Sequence, residues 1–333
     1  MADTAVRTEP RKGLRAADQR ILRRLGPVIA LLGMCAILTA LSDHFLTFDN
    51  LMNVFRQSAV NVLLALGQLL VIVTAGIDLS VGSVLGLSCV AAALMLKAGF
   101  AGWLSGLAAV ALGLSLGTMN GVLLTRLRLP HPFIPTLGMM NVARGLALVI
   151  SGGFPVSNLP DSFRWLGAGR LAFLPAPVVL VLVVCAVSHF FLTRTAIGRD
   201  IYAIGGNKQA AILSGVPVNS RLTLVYALSG GLAGLGAIVL AGRMNSGYPL
   251  AGMGAELDAI AAVIIGGASF FGGAGTVSGT LVGALIIGVL RNGLNLLDVS
   301  SYWQTAVIGV VIVMAVWIDV VRQRAGGKKS RQP

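Results

Sequence analysis

Charge is what this sequence has least of: Asp, Glu, Lys and Arg make up 11% of its 333 residues, and only 12 residues are acidic. A soluble globule of that length needs about twice as much charge to stay dispersed. Cysteine is scarce too. Cys35, Cys89 and Cys185 each fall within an apolar block, with no CxxC and no Cys/His cluster. That excludes a metal site of the usual spacing and a disulfide framework. His44, His131 and His189 are scattered and form no HExxH array, and no G-x-S-x-G elbow has a histidine and an acid to support it. A phosphate loop is missing as well, because Gly327-Lys328-Lys329-Ser330 has the wrong spacing and sits in a tail. The chain is therefore expected to have no catalytic residues and to bind no metal or cofactor, ATP and Mg included.

What is present is apolar. Hydrophobic residues make up 56% of the chain and 43 residues are glycine, with a mean hydropathy of +0.87. This predicts an all-α polytopic membrane protein, since a span takes about 20 apolar residues and the length leaves room for about ten. The runs read as Pro27–Leu41, Val60–Ala75, a second run from Ser83 to Leu96, Trp103–Leu124, Phe133–Ile150, Pro177–Leu192, Leu222–Ala241, Leu257–Phe271, Val277–Leu290 and Trp303–Val321. Residues 1–26 form a polar N-terminal arm, 27–321 the membrane domain and 322–333 a basic tail. A basic start before a short apolar run also describes a signal peptide, but no A-x-A-like cleavage site is clear, so a retained first span is expected. Ser42–Asn53 is polar and aromatic enough for an outside loop.

The net charge of +13 would suit a nucleic acid, but position decides against one. Seven Lys and Arg lie in the arm up to Arg24, two in the Thr125–His131 turn, four between Arg194 and Arg221 and five in the tail, 18 of the 25 in all. Cytoplasmic placement of these four stretches is the positive-inside pattern. An even number of spans then puts both termini in the cytoplasm.

Glycines repeat every four residues at Gly113, Gly117 and Gly121, at Gly275, Gly279 and Gly283, and at Gly230 and Gly234. Small residues at that spacing flatten one helix face and let backbones approach, either within the chain or at a dimer seam.

A few polar residues interrupt the apolar runs. Asp78 stands in the GIDLSVGS break, where an ionised carboxylate at a span centre costs ~2.5–3.5 kcal/mol on insertion scales. Asp78 or Ser80 either caps the helix that follows or faces a water-filled path. Arg144 and the neighbouring Asn141 are a second intramembrane pair, serving an ion pair or lining a path. Glu256 and Asp258 open a span, where acids suit the helix dipole. Glu256, with Arg164, Arg170 and Arg243 on the outside loops, is also placed to meet a partner protein.

The stretch RTAIGRDIYAIGGNKQAAILSGVPVNSR, Arg194–Arg221, is the longest internal run without an apolar block. In it, Gln209, Ala210, Ala211 and Gly215 keep the spacing of the EAA-xxx-G signature, with Gln where the signature has Glu. They ask for a short helix with a small-residue face, then a turn ended by Pro217. Together with GIDLSVGSVLGL, GRDIYAIGGN, ELDAIAAVIIGGASFFGGAGTVSGTLVGALIIG and NGLNLLDVSSYWQ, in that order, this loop resembles that of the ribose-type monosaccharide permeases of ABC importers. The resemblance runs from about the first span to the last. It implies a permease subunit in the bacterial inner membrane, paired with a second copy. The resemblance further implies that a monosaccharide (ribose-, xylose- or galactose-like) or a polyol is delivered by a periplasmic binding protein, and that a separate ABC ATPase docks on Gln209, Ala210, Ala211 and Gly215. A self-sufficient secondary transporter or channel, coupled through Asp78 or Arg144, is the alternative. The loop favours the importer, since a lone carrier needs no ATPase dock.

Overall fold

A computed structural model describes residues 12–127 and 129–327, with side chains for 25–127, 129–317 and 319–321. The first part of the arm and the tail beyond Gly327 lie outside the described residues, so the cytoplasmic placement expected of them is left to other observations.

The described residues are helical, with four two-residue strands. Among the described residues seven helices are long and apolar enough to cross a membrane: α2 (Phe48–Val73), α4 (Gly102–Arg126), α5 (Phe133–Ser151), α7 (Ala176–Arg194), α10 (Val218–Met244), α12 (Val277–Leu296) and Ser301–Val321 of α13 (Ser301–Gly327). Two shorter apolar helices join them, Leu25–Leu41 of α1 (Lys12–Leu41) and α3 (Val81–Lys97).

Two expected boundaries shift. The outside loop read at Ser42–Asn53 is shorter, because α2 starts at Phe48, where the Thr47 side chain accepts from Asn50 N at 3.4 Å. The run Leu257–Phe271 is not one helix. α11 spans Ala255–Ile265, 11 residues, which cover ~16 Å of the ~30 Å hydrocarbon layer. It stops because Gly267, Gly272 and Gly273 take φ values of 91°, 88° and 73°, a left-handed backbone that glycine adopts without penalty.

α2 and α10 form the centre. In their apolar windows 83% and 72% of residues are buried, against 28% for α4, α5 and α7 and 12% for α13. The peripheral helices therefore turn most of their apolar surface outward, to lipid or to another chain. The glycine repeats do their packing within the chain. A Cβ on Gly113, Gly117 or Gly121 would collide with α10 backbone at Gly230, Tyr226 or Thr223, and one on Gly279 or Gly283 would collide with Gly266 or Ala262. These contacts carry α4 on α10 and α12 on α11 with backbones touching.

Between α5 and α7 the chain makes α6 (Asp161–Ala168), β1 (Val156–Ser157), β2 (Arg170–Leu171) and β3 (Leu174–Pro175). β1 pairs antiparallel with β4 (Ser246–Gly247), which follows α10, and β2 pairs with β3. This caps the end of the bundle where α5 and α10 finish. At the opposite end, the Arg194–Arg221 stretch folds into α8 (Ala196–Gly206) and α9 (Lys208–Leu213).

Candidate functional site

The GIDLSVGS break lies between α2 and α3, and its side chains point inward. Asp78 is fully buried. Its Oδ1 accepts from Ser80 N at 3.0 Å and from Ser80 Oγ at 2.6 Å, and its Oδ2 accepts from Ser229 Oγ on α10 at 2.9 Å. Asn120 on α4 donates from Nδ2 to Ser80 Oγ at 2.9 Å. Gln68 on α2, with its amide nitrogen toward Asp78 O and its oxygen toward Asp78 N, makes both bonds at 3.2 Å. Tyr226 Oη donates to Ile77 O at 3.4 Å.

The simple cap expected of Asp78 or Ser80 is corrected by this geometry. Ser80 occupies the N-cap position of α3 without a side-chain cap bond, and Asp78 bonds two residues ahead, as in an Asx turn. The carboxylate holds the break in shape and ties it to α10, and through Ser80 to α4. Buried polar groups that satisfy one another in this way fix one arrangement of the helices around them. Gln68, Asn120 and Ser229 were missed from sequence. Gln68 and Asn120 were detectable as amides inside apolar runs, whereas Ser229 is one small residue among several.

Beside the break a cavity of about 500 Å³ is lined by Thr74, Ala75, Gly76, Tyr226, Asn207 and Lys208, so the break and the Arg194–Arg221 stretch share one space. α8 reaches the end of α2 directly. Gly205 lies so close to Val73 O that a Cβ would overlap it, Gly273 N donates to Val73 O at 2.9 Å, and Tyr202 Oη donates to Gly275 O at 2.7 Å. Arg221 and Asp200 pair at 2.8 Å across the base of the stretch.

α9 rests on α8 and the start of α10 with one face and leaves its other face exposed. Asn207 caps it by accepting from Ala210 N at 3.0 Å, and Gly215 ends the following turn with φ 81°. Gln209 and Ala210 are exposed, as is Gly215. Ala211 faces inward, packed with Ile204, Val218 and Leu222. The outward surface instead includes Ile212 and Leu213, the latter 89% exposed. The burial of Ala211 and the exposure of Leu213 follow from the register of a six-residue helix, which spacing alone does not reveal.

Arg144 and Asn141 are not brought together. Arg144 Nη1 donates to Pro249 O at 2.7 Å and to Ala251 O at 2.9 Å, fixing the loop after β4. Asn141 is exposed and donates to Leu137 O of its own helix at 3.0 Å. Of the residues expected on outside loops, Arg170 is exposed in β2 and Arg164 lies in α6, paired with Asp161 at 2.8 Å. Arg243 is in the last turn of α10, and Glu256 in the first turn of α11. Both are half-buried. Among the described residues no group of His, Cys, Asp or Glu is placed to hold a metal.

Comparison with known proteins gives the family of this helix bundle. Residues 50–316 match the family described as branched-chain amino acid transport system / permease component. The chain is 44% identical over 320 residues to the ribose import permease protein RbsC of Escherichia coli strain K12, covering 95% of this chain and 99% of that one. It is 42% identical over 298 residues to the D-allose transport system permease protein AlsC of the same strain, covering 89% and 91%. With that strain's xylose transport system permease protein XylH it shares 33% over 376 residues, covering 94% of each. No solved structure matches. The chain belongs to this family of permease components.

Proposed function

We propose that the chain is the membrane permease subunit of an ABC importer for a monosaccharide of the ribose, allose or xylose kind. The supporting relatives are named for those sugars, although the family description names branched-chain amino acids. The observation that carries the reading is α9, with Gln209, Ala210, Ile212 and Leu213 exposed and its base resting through α8 on the end of α2. A separate ATPase gripping that helix would pull on the helix break. A periplasmic binding protein would meet the opposite end, where Arg170 is exposed. A second copy would cover part of the exposed face of α5, which includes Val142, Leu146 and Val149.

The proposed topology has ten crossings with both termini in the cytoplasm of a bacterial inner membrane. Seven are the long helices, two the shorter apolar ones, and the tenth is α11 continued by residues 266–276. Such irregular backbone is tolerated at membrane depth when protein buries it, and α11 packs on α2 and α12. A reporter active only in the periplasm should stay silent when fused to the C-terminus, and activity there would refute this topology.

The function is tested in liposomes by uptake of radiolabelled ribose, allose and xylose. Uptake is expected only with the ATPase, ATP and a loaded binding protein all present. Accumulation by the chain alone under a proton or sodium gradient would overturn the proposal in favour of a secondary transporter.

A further inference from the structure

A groove of about 1020 Å³ runs along the seam between α4 and α10 and ends at α9. Its two halves differ in chemistry. Away from α9 it is lined by Thr118 and Val122 of α4 and by Leu224 and Ala227 of α10. From Arg126 back to Thr118, α4 rises about 12 Å. Both helices are long and apolar enough to cross a membrane, and Val122 is 40% exposed, so this half opens sideways into the hydrocarbon layer. The α9 end is charged instead. Arg126 lies in the last turn of α4 and Lys208 is the first residue of α9, and both are exposed. Among the described residues no acid lines the groove, and neither cation takes part in an ion pair.

Two like charges at one end of an apolar groove select its occupant. An inorganic anion satisfies the cations and leaves the apolar half bare, and an apolar solute does the reverse. The chain's own basic tail, with five Lys and Arg and no acid from 322 to 333, is repelled. A phospholipid with a net negative headgroup matches both halves at once. Its phosphate meets Arg and Lys where such side chains attract anionic lipid at a membrane surface, and an acyl chain covers Val122, Leu224 and Ala227. Arg and Lys suit this depth, because their long stems stay on apolar surface while the charged heads reach the headgroup layer. The start of α10, at Asn219 and Ser220 in the same lining, has no side-chain cap, and its dipole favours negative charge there too.

We propose that this groove holds one anionic phospholipid of the leaflet on the α9 side, with its phosphate at Arg126 and Lys208 and an acyl chain along the α4–α10 seam. Ile212 and Val216 line the same groove, so the bound lipid rests against α9 and braces it. The site is independent of which solute the chain transports.

The test uses the full chain in phosphatidylcholine nanodiscs, with Cys35→Ser, which leaves the buried Cys89 and Cys185, and with Thr118→Cys, an exposed position, labelled with bimane. The lipid is replaced stepwise by dibrominated phosphatidylglycerol or by dibrominated phosphatidylcholine, and quenching of the bimane is read. Half-maximal quenching is expected at a roughly 30-fold lower ratio of brominated to unbrominated lipid for phosphatidylglycerol, the effect of two cations at the membrane surface. Arg126→Gln and Lys208→Gln should each remove about fivefold of that preference, and together all of it. Bimane on Val187→Cys, 62% exposed and seven residues before the end of α7, reads bulk lipid at a similar depth and should show no preference. No preference at Thr118, an equal preference at Val187, or a preference kept when both cations are removed would each overturn the site. So would quenching relieved by inorganic phosphate, which marks an anion site without a chain, or by the bound ATPase, which gives the groove to that protein.

Discussion

Two interruptions of the apolar runs, after α2 and after α11, meet at α8, and they are built from opposite materials. The first, Thr74–Ser80, is held by side chains: Asp78, Ser80, Ser229 and Asn120 bond to one another inside the bundle. The second, Gly266–Thr276, is held through its backbone groups, which bond both to other backbone and to the side chains of Tyr202 and Asp319. Gly273 N bonds to Val73 O, Tyr202 bonds to Gly275 O, and Gly272 and Gly273 take left-handed φ values. A junction made of side-chain bonds resists rearrangement until a partner is lost, whereas one made of glycine resists until a side chain is added. α8 touches both, so a pull on α9 reaches a stiff junction and a compact one together.

The largest expected effect comes from removing the carboxylate of the first junction. Asp78→Leu leaves the Ser229 and Ser80 hydroxyls without their acceptor, and each buried polar group so orphaned costs about 1–3 kcal/mol. The melting temperature of the purified chain in detergent should fall by roughly 5–15 °C. Asp78→Asn keeps one acceptor oxygen and should lose about half as much. Leu and Asn variants that melt alike would mean the junction is not held by these bonds, and the contrast between the two interruptions would disappear.

The adjacent glycines of α8 sharpen the contrast. A Cβ at Gly205 would overlap Val73 O, while at Gly206 nothing lies within 4 Å. Gly205→Ala should push α8 off α2 and lower ATP-driven uptake at least ~10-fold, the effect of ~1.4 kcal/mol. Hydrolysis by the partner ATPase should continue, because the dock proposed on α9 is untouched. Gly206→Ala should transport normally. Equal uptake by the two variants would show that force does not pass through the α8–α2 contact.

How far such contrasts were readable from sequence depends on the element. The long spans were legible because 20 apolar residues admit few alternatives, and Asp78 stood out as a lone acid between two of them. The early end of α11 was not legible. Ala-Val-Ile-Ile-Gly-Gly-Ala-Ser-Phe-Phe is apolar throughout, and only the backbone angles at its glycines show that the helix has ended at Ile265. Ala211 was expected on the outer face from the signature spacing, yet it packs against Ile204 and Val218. Asn141 and Arg144 stood out as polar residues inside one apolar run, but their partners did not. The amide satisfies itself on Leu137 O, an option always open to a polar side chain within a helix, and the guanidinium bonds to carbonyls of a loop more than a hundred residues away. Long-range partners of this kind leave no periodic trace.

The smallest expected effect tests whether the side-chain junction is uniform. Asn120 is fully buried, and its Nδ2 donates to Ser80 Oγ at 2.9 Å. Its Oδ1 has no partner among the described residues. Asn120→Ala therefore removes one useful bond together with one costly unpaired acceptor, and the two terms oppose each other. Measured side-chain hydrogen bonds between membrane helices average about 0.6 kcal/mol, so the net change should stay within about 1 kcal/mol, or ~2–4 °C in melting temperature. Ser229→Ala is the matched comparison. It takes away the donor to Asp78 Oδ2 and leaves that oxygen buried and bare, with nothing to offset the loss, so it should cost about 1–3 kcal/mol. The order Asp78→Leu, then Ser229→Ala, then Asn120→Ala locates the strength of the junction at the carboxylate and its link to α10. Were Asn120→Ala to cost as much as Asp78→Leu, the junction would instead be anchored on α4, and the mechanical path from α9 would run through the α4–α10 glycine contact.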